Sequence, residues 1–224
     1  MRVAISSAGL TTFVLIPGAI LGLAAGAVVN ERMPWYSSDA LRFALPALAA
    51  LTGMFAGGAV WGSAMSRLTK AAAGRRMALA GGTGFASSAT LVALTLSFLG
   101  SLVLGQSGGP ALPVHNVFTL LFAPAAGIVA GVSGAALGLG LGDRAIAGKL
   151  AWMCALAGGA AFLVVNLTMD ALGWRVGAPG AAERATMLTT TLLGSLAAAI
   201  TGGAIIGIVL WTRTRARFRM TDRE

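Results

Sequence analysis

Charge is scarce in this chain: only 10% of its 224 residues are charged, whereas a water-soluble domain carries about a quarter. Too little polar side chain is present to cover a solvated surface, which excludes a soluble globular domain. A single cysteine, Cys154, excludes a disulfide framework and any cysteine-based metal or iron–sulfur site. A single histidine, His115, excludes a bis-histidine haem within one chain. Lysine occurs only at Lys70 and Lys149, and the seven acidic residues are outnumbered by 16 basic ones. In a soluble protein the net charge of +9 would suggest nucleic acid; in an apolar chain the placement of the charges carries the information instead.

What is abundant is apolar surface and glycine: 57% hydrophobic residues, 32 glycines and a mean hydropathy of +0.84. Six apolar segments are each long enough to cross about 30 Å of hydrocarbon at a rise of 1.5 Å per residue. They are Ala8–Val29, Leu41–Gly62, Met77–Leu104, Phe118–Leu141, Leu150–Leu172 and Ala185–Trp211. Strands of a membrane barrel would alternate in polarity and be about half as long, so the expected fold is all-α, a polytopic membrane protein of six helices. Residues 1–212 form the transmembrane domain and 213–224 a basic tail.

The connections alternate in charge. One side receives Arg2, Arg67, Lys70, Arg75, Arg76, Arg144, Lys149, Arg213, Arg215, Arg217, Arg219 and Arg223, and the other only Arg32, Arg42, Arg175 and Arg184. Basic residues collect on the cytoplasmic side, so both termini are expected there. The Ala/Gly excess and the preference for arginine point to a GC-rich bacterial gene, and hence to a bacterial inner membrane. The apolar run after Met1-Arg2 ends in Ala24-Ala25-Gly26-Ala27 like a signal peptide, yet it is expected to be kept as the first span. Trp35, Tyr36 and Trp174 fall at the outer span ends and Trp61, Trp152 and Trp211 at the inner ends, the pattern of an interfacial aromatic belt.

The chain also divides into three helical hairpins of about 70 residues. Ala56-Gly57-Gly58-Ala59-Val60-Trp61-Gly62 aligns with Thr201-Gly202-Gly203-Ala204-Ile205-Ile206-Gly207, and Pro124 precedes Gly131 as Pro46 precedes Gly53. Glycines recur at four-residue spacing: Gly18, Gly22 and Gly26; Gly53 and Gly57; Gly58 and Gly62; Gly127 and Gly131; Gly134, Gly138 and Gly142; Gly203 and Gly207. Residues four apart share a helix face, and without a Cβ they admit another helix at backbone contact. Such faces either pack the six helices together or, on span one above all, dock a different subunit. Pro17, Pro46 and Pro124 lie inside spans, where each removes a backbone hydrogen bond.

Ionisable groups at membrane depth are the usual pointer to transport, and this sequence has few. Asp170 lies near the outer end of span five with Asn166 one turn before it. The pair reads either as a cation or proton site, or as an interfacial carboxylate near Arg175 beside an asparagine bonded between helices; the second is favoured. His115 with Asn116 could ligate a pigment or metal, but one ligand fixes no geometry. Arg213, Arg215, Arg217 and Arg219 follow Trp211 as an anchor for anionic lipid or a partner.

Two motifs fail on context. Gly131-Val132-Ser133-Gly134, followed by Ala135-Ala136-Leu137-Gly138, is similar to the Gly-x-Ser-Gly of rhomboid intramembrane proteases. That resemblance implies a histidine on the sixth span, and Ala185–Trp211 has none. His115 is roughly 27 Å from Ser133 along a helix, beyond the reach of a general base. Gly81-Gly82-Thr83-Gly84 lacks the strand and the Gly-Lys-Ser/Thr of a phosphate loop and reads as helix packing.

No nucleophile, base or metal set converges, so enzyme activity and a bound cofactor are not expected. The sequence favours a non-catalytic accessory or scaffold subunit of a membrane complex, with membrane lipids and other integral membrane subunits as partners and no nucleic acid. The alternative is a small transporter or a substrate-binding transporter component. A six-span vitamin-binding component of an energy-coupling transporter is similar in size and in small-residue packing.

Overall fold

A computed structural model describes residues 2–32, 39–68, 74–104, 114–173 and 181–221. It contains six helices and, among the described residues, no strand: α1 (Arg2–Arg32), α2 (Asp39–Leu68), α3 (Gly74–Leu104), α4 (Val114–Gly140), α5 (Arg144–Ala171) and α6 (Ala181–Thr221). An apolar chain in lipid must pair its backbone groups internally, and helices do so within one segment. Each helix matches one expected apolar segment and generally overshoots it, because the basic residues at its ends continue the helix. Within the described residues four helices are long and apolar enough to cross a membrane: 44–68 in α2, 122–140 in α4, α5, and 189–213 in α6. The protein is therefore a membrane-embedded helical protein.

Each helix packs on its neighbours in sequence, α6 returns to α1, and a lighter α4–α6 contact crosses the ring. The end of α2, the start of α3 and the α4–α5 turn lie at one end, with the start of α1 and the last third of α6. This is the basic end. The α4–α5 turn shows how a sequence makes so short a connection. Gly142 sits at φ 72°, a left-handed conformation that costs glycine little. Its N–H donates to the Leu139 carbonyl at 2.8 Å, and the Asp143 N–H to the Gly138 carbonyl at 3.1 Å, which satisfies the last carbonyls of α4 in a Schellman closure. Asp143 at once caps α5, its carboxylate accepting the Ile146 N–H at 3.0 Å. Gly142 is thus a turn residue, and the packing role expected for it beside Gly134 and Gly138 is corrected.

Glycine decides how closely the helices approach. A Cβ on Gly18 would lie 2.9 Å from the Gly57 Cα, and one on Gly22 2.8 Å from the Ala50 carbonyl oxygen. A Cβ on Gly26 would lie 2.9 Å from the Pro46 carbonyl oxygen. The span-one ridge of Gly18, Gly22 and Gly26 therefore seats α2 of the same chain. Its expected role in docking a different subunit is corrected: the ridge is covered from within. On α2 the pair Gly58 and Gly62 lies five residues beyond Gly53 and Gly57, about 140° further round the helix. It meets Gly81 and Met77 of α3 instead of α1.

That joint occurs three times at the basic end. Gly58 and Gly62 of α2 receive the start of α3, and Gly134 and Gly138 of α4 receive Leu150 and Ala147 of α5. Gly203 and Gly207 of α6 receive Ala8 and Ala4 of α1. In each case a glycine pair four residues apart lets the next helix in the ring lie against bare backbone. The main core fills the space inside these joints: Trp61, Met65, Met77, Phe85, Leu137, Leu150, Cys154, Ile206, Val209 and Leu210. A smaller cluster of Ala123 and Phe162 joins α4 and α5 nearer the opposite end.

Candidate functional site

Few buried polar groups occupy the interior among the described residues, and three of them bond within their own helix. Thr11 donates to the Ser7 carbonyl at 2.8 Å, Ser88 to Phe85 at 2.7 Å and Asn166 Nδ2 to Phe162 at 2.9 Å. Back-bonding to the preceding turn is how a hydroxyl or amide is accommodated in an apolar medium. Another set of contacts crosses helices. Trp61 Nε1 of α2 donates to Thr11 Oγ1 of α1 at 3.1 Å, and Ser7 Oγ of α1 donates to the Gly203 carbonyl of α6. Cys154 of α5 approaches the Gly202 carbonyl at 3.8 Å. These contacts tie α2, α1, α6 and α5 at one level.

Trp61 departs from its expected place. It is 0% exposed, whereas the sequence put it in the interfacial belt at the end of span two. The physical reason is that α2 continues to Leu68, about 10 Å further at 1.5 Å per residue, so Trp61 lies inside the bundle and its indole N–H needs the buried acceptor that Thr11 supplies. Trp152 is exposed and Trp211 half-buried; Trp35, Tyr36 and Trp174 lie outside the described residues.

Asn166 and Asp170 lie one turn apart on α5, with Asn166 5% exposed and Asp170 half-buried. The Asn166 amide nitrogen bonds within its own helix, and the interhelical bond expected of it is corrected on that point. A Cβ on Gly194 of α6 would meet the Phe162 ring, so one turn further along these antiparallel helices Asn166 and the buried Thr190 stand at the same level. Among the described residues no group of three or more His, Cys, Asp or Glu side chains could hold a metal. Residue 115 falls in the first turn of α4, while the side chains of His115, Arg215, Arg217 and Arg219 lie outside the described residues. The backbone of α6 continues as helix through those arginines. Arg213 pairs with Asp143 at 3.1 Å, so the end of α6 is clasped to the α4–α5 turn.

Ser133 is 3% exposed, and its Oγ has no hydrogen-bond partner. It is one turn from Leu137 on the face of α4 turned to the bundle centre, not on the Gly131 and Gly134 face that meets α5. Gly81, Gly82 and Gly84 receive Gly58, Phe55 and Ala136, so this run packs helices as expected.

The outward surface holds what the sequence did not single out. Large apolar side chains such as Phe13, Leu48, Leu156, Leu163, Leu196 and Ile200 cover most of it. On α3, Thr83, Ser87 and Thr90 are exposed in succession on one face, between Leu79 and Leu94. Each donates to its own helix, Thr83 to Leu79 at 2.9 Å, Ser87 to Thr83 at 2.7 Å and Thr90 to Ala86 at 3.2 Å. The signal was present as a Thr/Ser spacing of four and three, hidden by the glycine pattern beside it. Comparison of the chain with protein-family models, characterised proteins and solved structures finds no match.

Proposed function

We propose that the protein is a non-catalytic accessory or scaffold subunit of a larger membrane assembly, and that the outward face of α3 is its docking surface. One observation carries the reading. The glycine faces first considered for docking, Gly18, Gly22, Gly26, Gly57, Gly58, Gly62, Gly131, Gly134, Gly138, Gly203 and Gly207, are all occupied by the chain's own helices. Thr83, Ser87 and Thr90 remain turned outward. Small hydroxyl side chains allow close helix approach in lipid, where apolar side chains gain nothing by leaving the acyl chains. In this reading all six helices cross the membrane as three hairpin repeats joined by the recurring glycine pairs. Both termini lie in the cytoplasm of a bacterial cell.

The test is mild extraction from native membranes followed by mass analysis, with Thr83→Leu/Ser87→Leu/Thr90→Leu beside the wild type. Further integral membrane subunits should accompany the wild type and be lost from the variant, whose monomer should melt normally because these hydroxyls bond only their own helix. Recovery of the wild type as a lone chain would refute the reading. A small transporter is the second reading, favoured by the partnerless Ser133 hydroxyl at the bundle centre. It requires a bound small molecule in the purified chain that Ser133→Ala releases.

A further inference from the structure

We propose that the α2–α3 corner at the basic end binds the headgroup of an anionic phospholipid, with an acyl chain lying along the α2–α3 surface beneath it. The corner is drawn together by the Gly62–Met77 joint, and one turn beyond it Ser66 Oγ lies 3.3 Å from where a Gly74 Cβ would stand. Arg67 follows Ser66 on α2, and Arg75 and Arg76 follow Gly74 on α3. All three arginines are exposed, and none has an ion pair among the described residues.

The adjacent α4–α5 turn is different. There Asp143 lies beside Arg144 and pairs with Arg213 at 3.1 Å, so part of the positive charge is answered from within the protein. At the α2–α3 corner no ion pair among the described residues answers Arg67, Arg75 or Arg76. The first turn of α3 adds backbone N–H groups with no partner inside the helix, at the positive end of the helix dipole. Guanidinium groups bind phosphate oxygens through paired, charge-assisted hydrogen bonds.

The apolar surface below distinguishes a lipid from a free anion. Leu79 lies one turn inward from Arg75 and is 52% exposed, and one turn further along α3 the partly exposed Phe55 of α2 packs against Gly82. Cations at the interface above outward apolar side chains on the same two helices match a phosphodiester joined to an acyl chain. Inorganic phosphate would engage the cations alone.

The proposal is tested on the isolated 224-residue chain and does not depend on any protein partner. The chain in neutral detergent is titrated with dioleoyl phosphatidylglycerol, with dioleoyl phosphatidylcholine in parallel, and bound lipid is counted by native mass spectrometry. Phosphatidylglycerol should be retained in preference. Arg67→Gln/Arg75→Gln/Arg76→Gln should weaken that retention at least tenfold, about 1.4 kcal/mol, and Arg67→Lys/Arg75→Lys/Arg76→Lys should restore most of it. Arg144→Gln/Lys149→Gln, which removes charge from the neighbouring corner, should leave retention within twofold of the wild type. Because the three arginines are exposed, the glutamine variant should elute and melt as the wild type; if it fails to fold, Arg75→Gln alone should still weaken retention severalfold. Equal loss in the Arg144/Lys149 variant would overturn the proposal by showing diffuse attraction to net charge. Undiminished retention in the glutamine variant, or loss only on replacing Arg215, Arg217 and Arg219, would overturn it too. Competition by inorganic phosphate as effective as that by the lipid would overturn the acyl-chain contribution.

Discussion

Placing one methyl group at the joint between α6 and α1 tests the ring closure. A Cβ on Gly203 would stand 2.7 Å from the Ala8 Cα, 2.8 Å from Thr11 Oγ1 and 2.9 Å from the Ser7 carbonyl oxygen, where ordinary contact begins at 3.4 Å. Two of the three obstacles are backbone, so no side-chain rotation relieves them, and α1 must retreat by several tenths of an ångström. A gap of about 0.5–1 Å forfeits a quarter to a half of each dispersion contact along the joint, and overpacking of this kind costs about 1–3 kcal/mol. Alanine returns about 1 kcal/mol through its better helix propensity. Gly203→Ala is therefore expected to be less stable than the wild type by up to about 2 kcal/mol. Gly148→Ala on α5, where a Cβ would meet nothing within 4 Å, should be neutral or stabilised by up to about 1 kcal/mol. The assay is reversible unfolding of the two variants and the wild type in the same detergent, followed by circular dichroism. If Gly203→Ala proved as stable as Gly148→Ala, the close α6–α1 approach would be refuted.

Thr11→Val should destabilise the chain by about 1–3 kcal/mol in the same assay, because it leaves the buried Trp61 indole N–H without its acceptor; an unchanged melt would show that this bond does not form. Asp143→Asn should lose no more than about 1 kcal/mol, since the Arg213 pair is partly solvated and asparagine caps a helix as well, whereas Asp143→Ala should lose about 1 kcal/mol more with the cap. Equal melting of the two Asp143 variants would remove the capping role. Cys154 is buried and should give little background labelling, so a cysteine at Glu31 should react with an impermeant reagent applied outside cells and one at Arg144 should not. The reverse pattern would invert the proposed orientation.

The helical fold was legible in the sequence because lipid leaves an apolar chain so few options. Backbone groups must pair internally, and runs such as Leu150–Leu172 are long enough to do so only as helices. The glycine spacing was also legible as close packing, since residues four apart share a face whatever the tertiary structure.

Which partner each face receives was not in the sequence. Gly18, Gly22 and Gly26 read equally well as a docking ridge, and only the approach of Gly57, Ala50 and Pro46 shows that the ridge is spent within the chain. Trp61 was assigned to the interface because hydropathy marks where apolar residues stop, whereas α2 runs on to Leu68 and draws the indole into the core. The α3 hydroxyls and the unanswered Arg67, Arg75 and Arg76 became visible only after burial separated inward from outward. Spacing along one helix fixes which residues share a face. Whether that face meets a neighbouring helix, the bundle centre or lipid depends on the order in which the helices close the ring, and only the tertiary structure decided that.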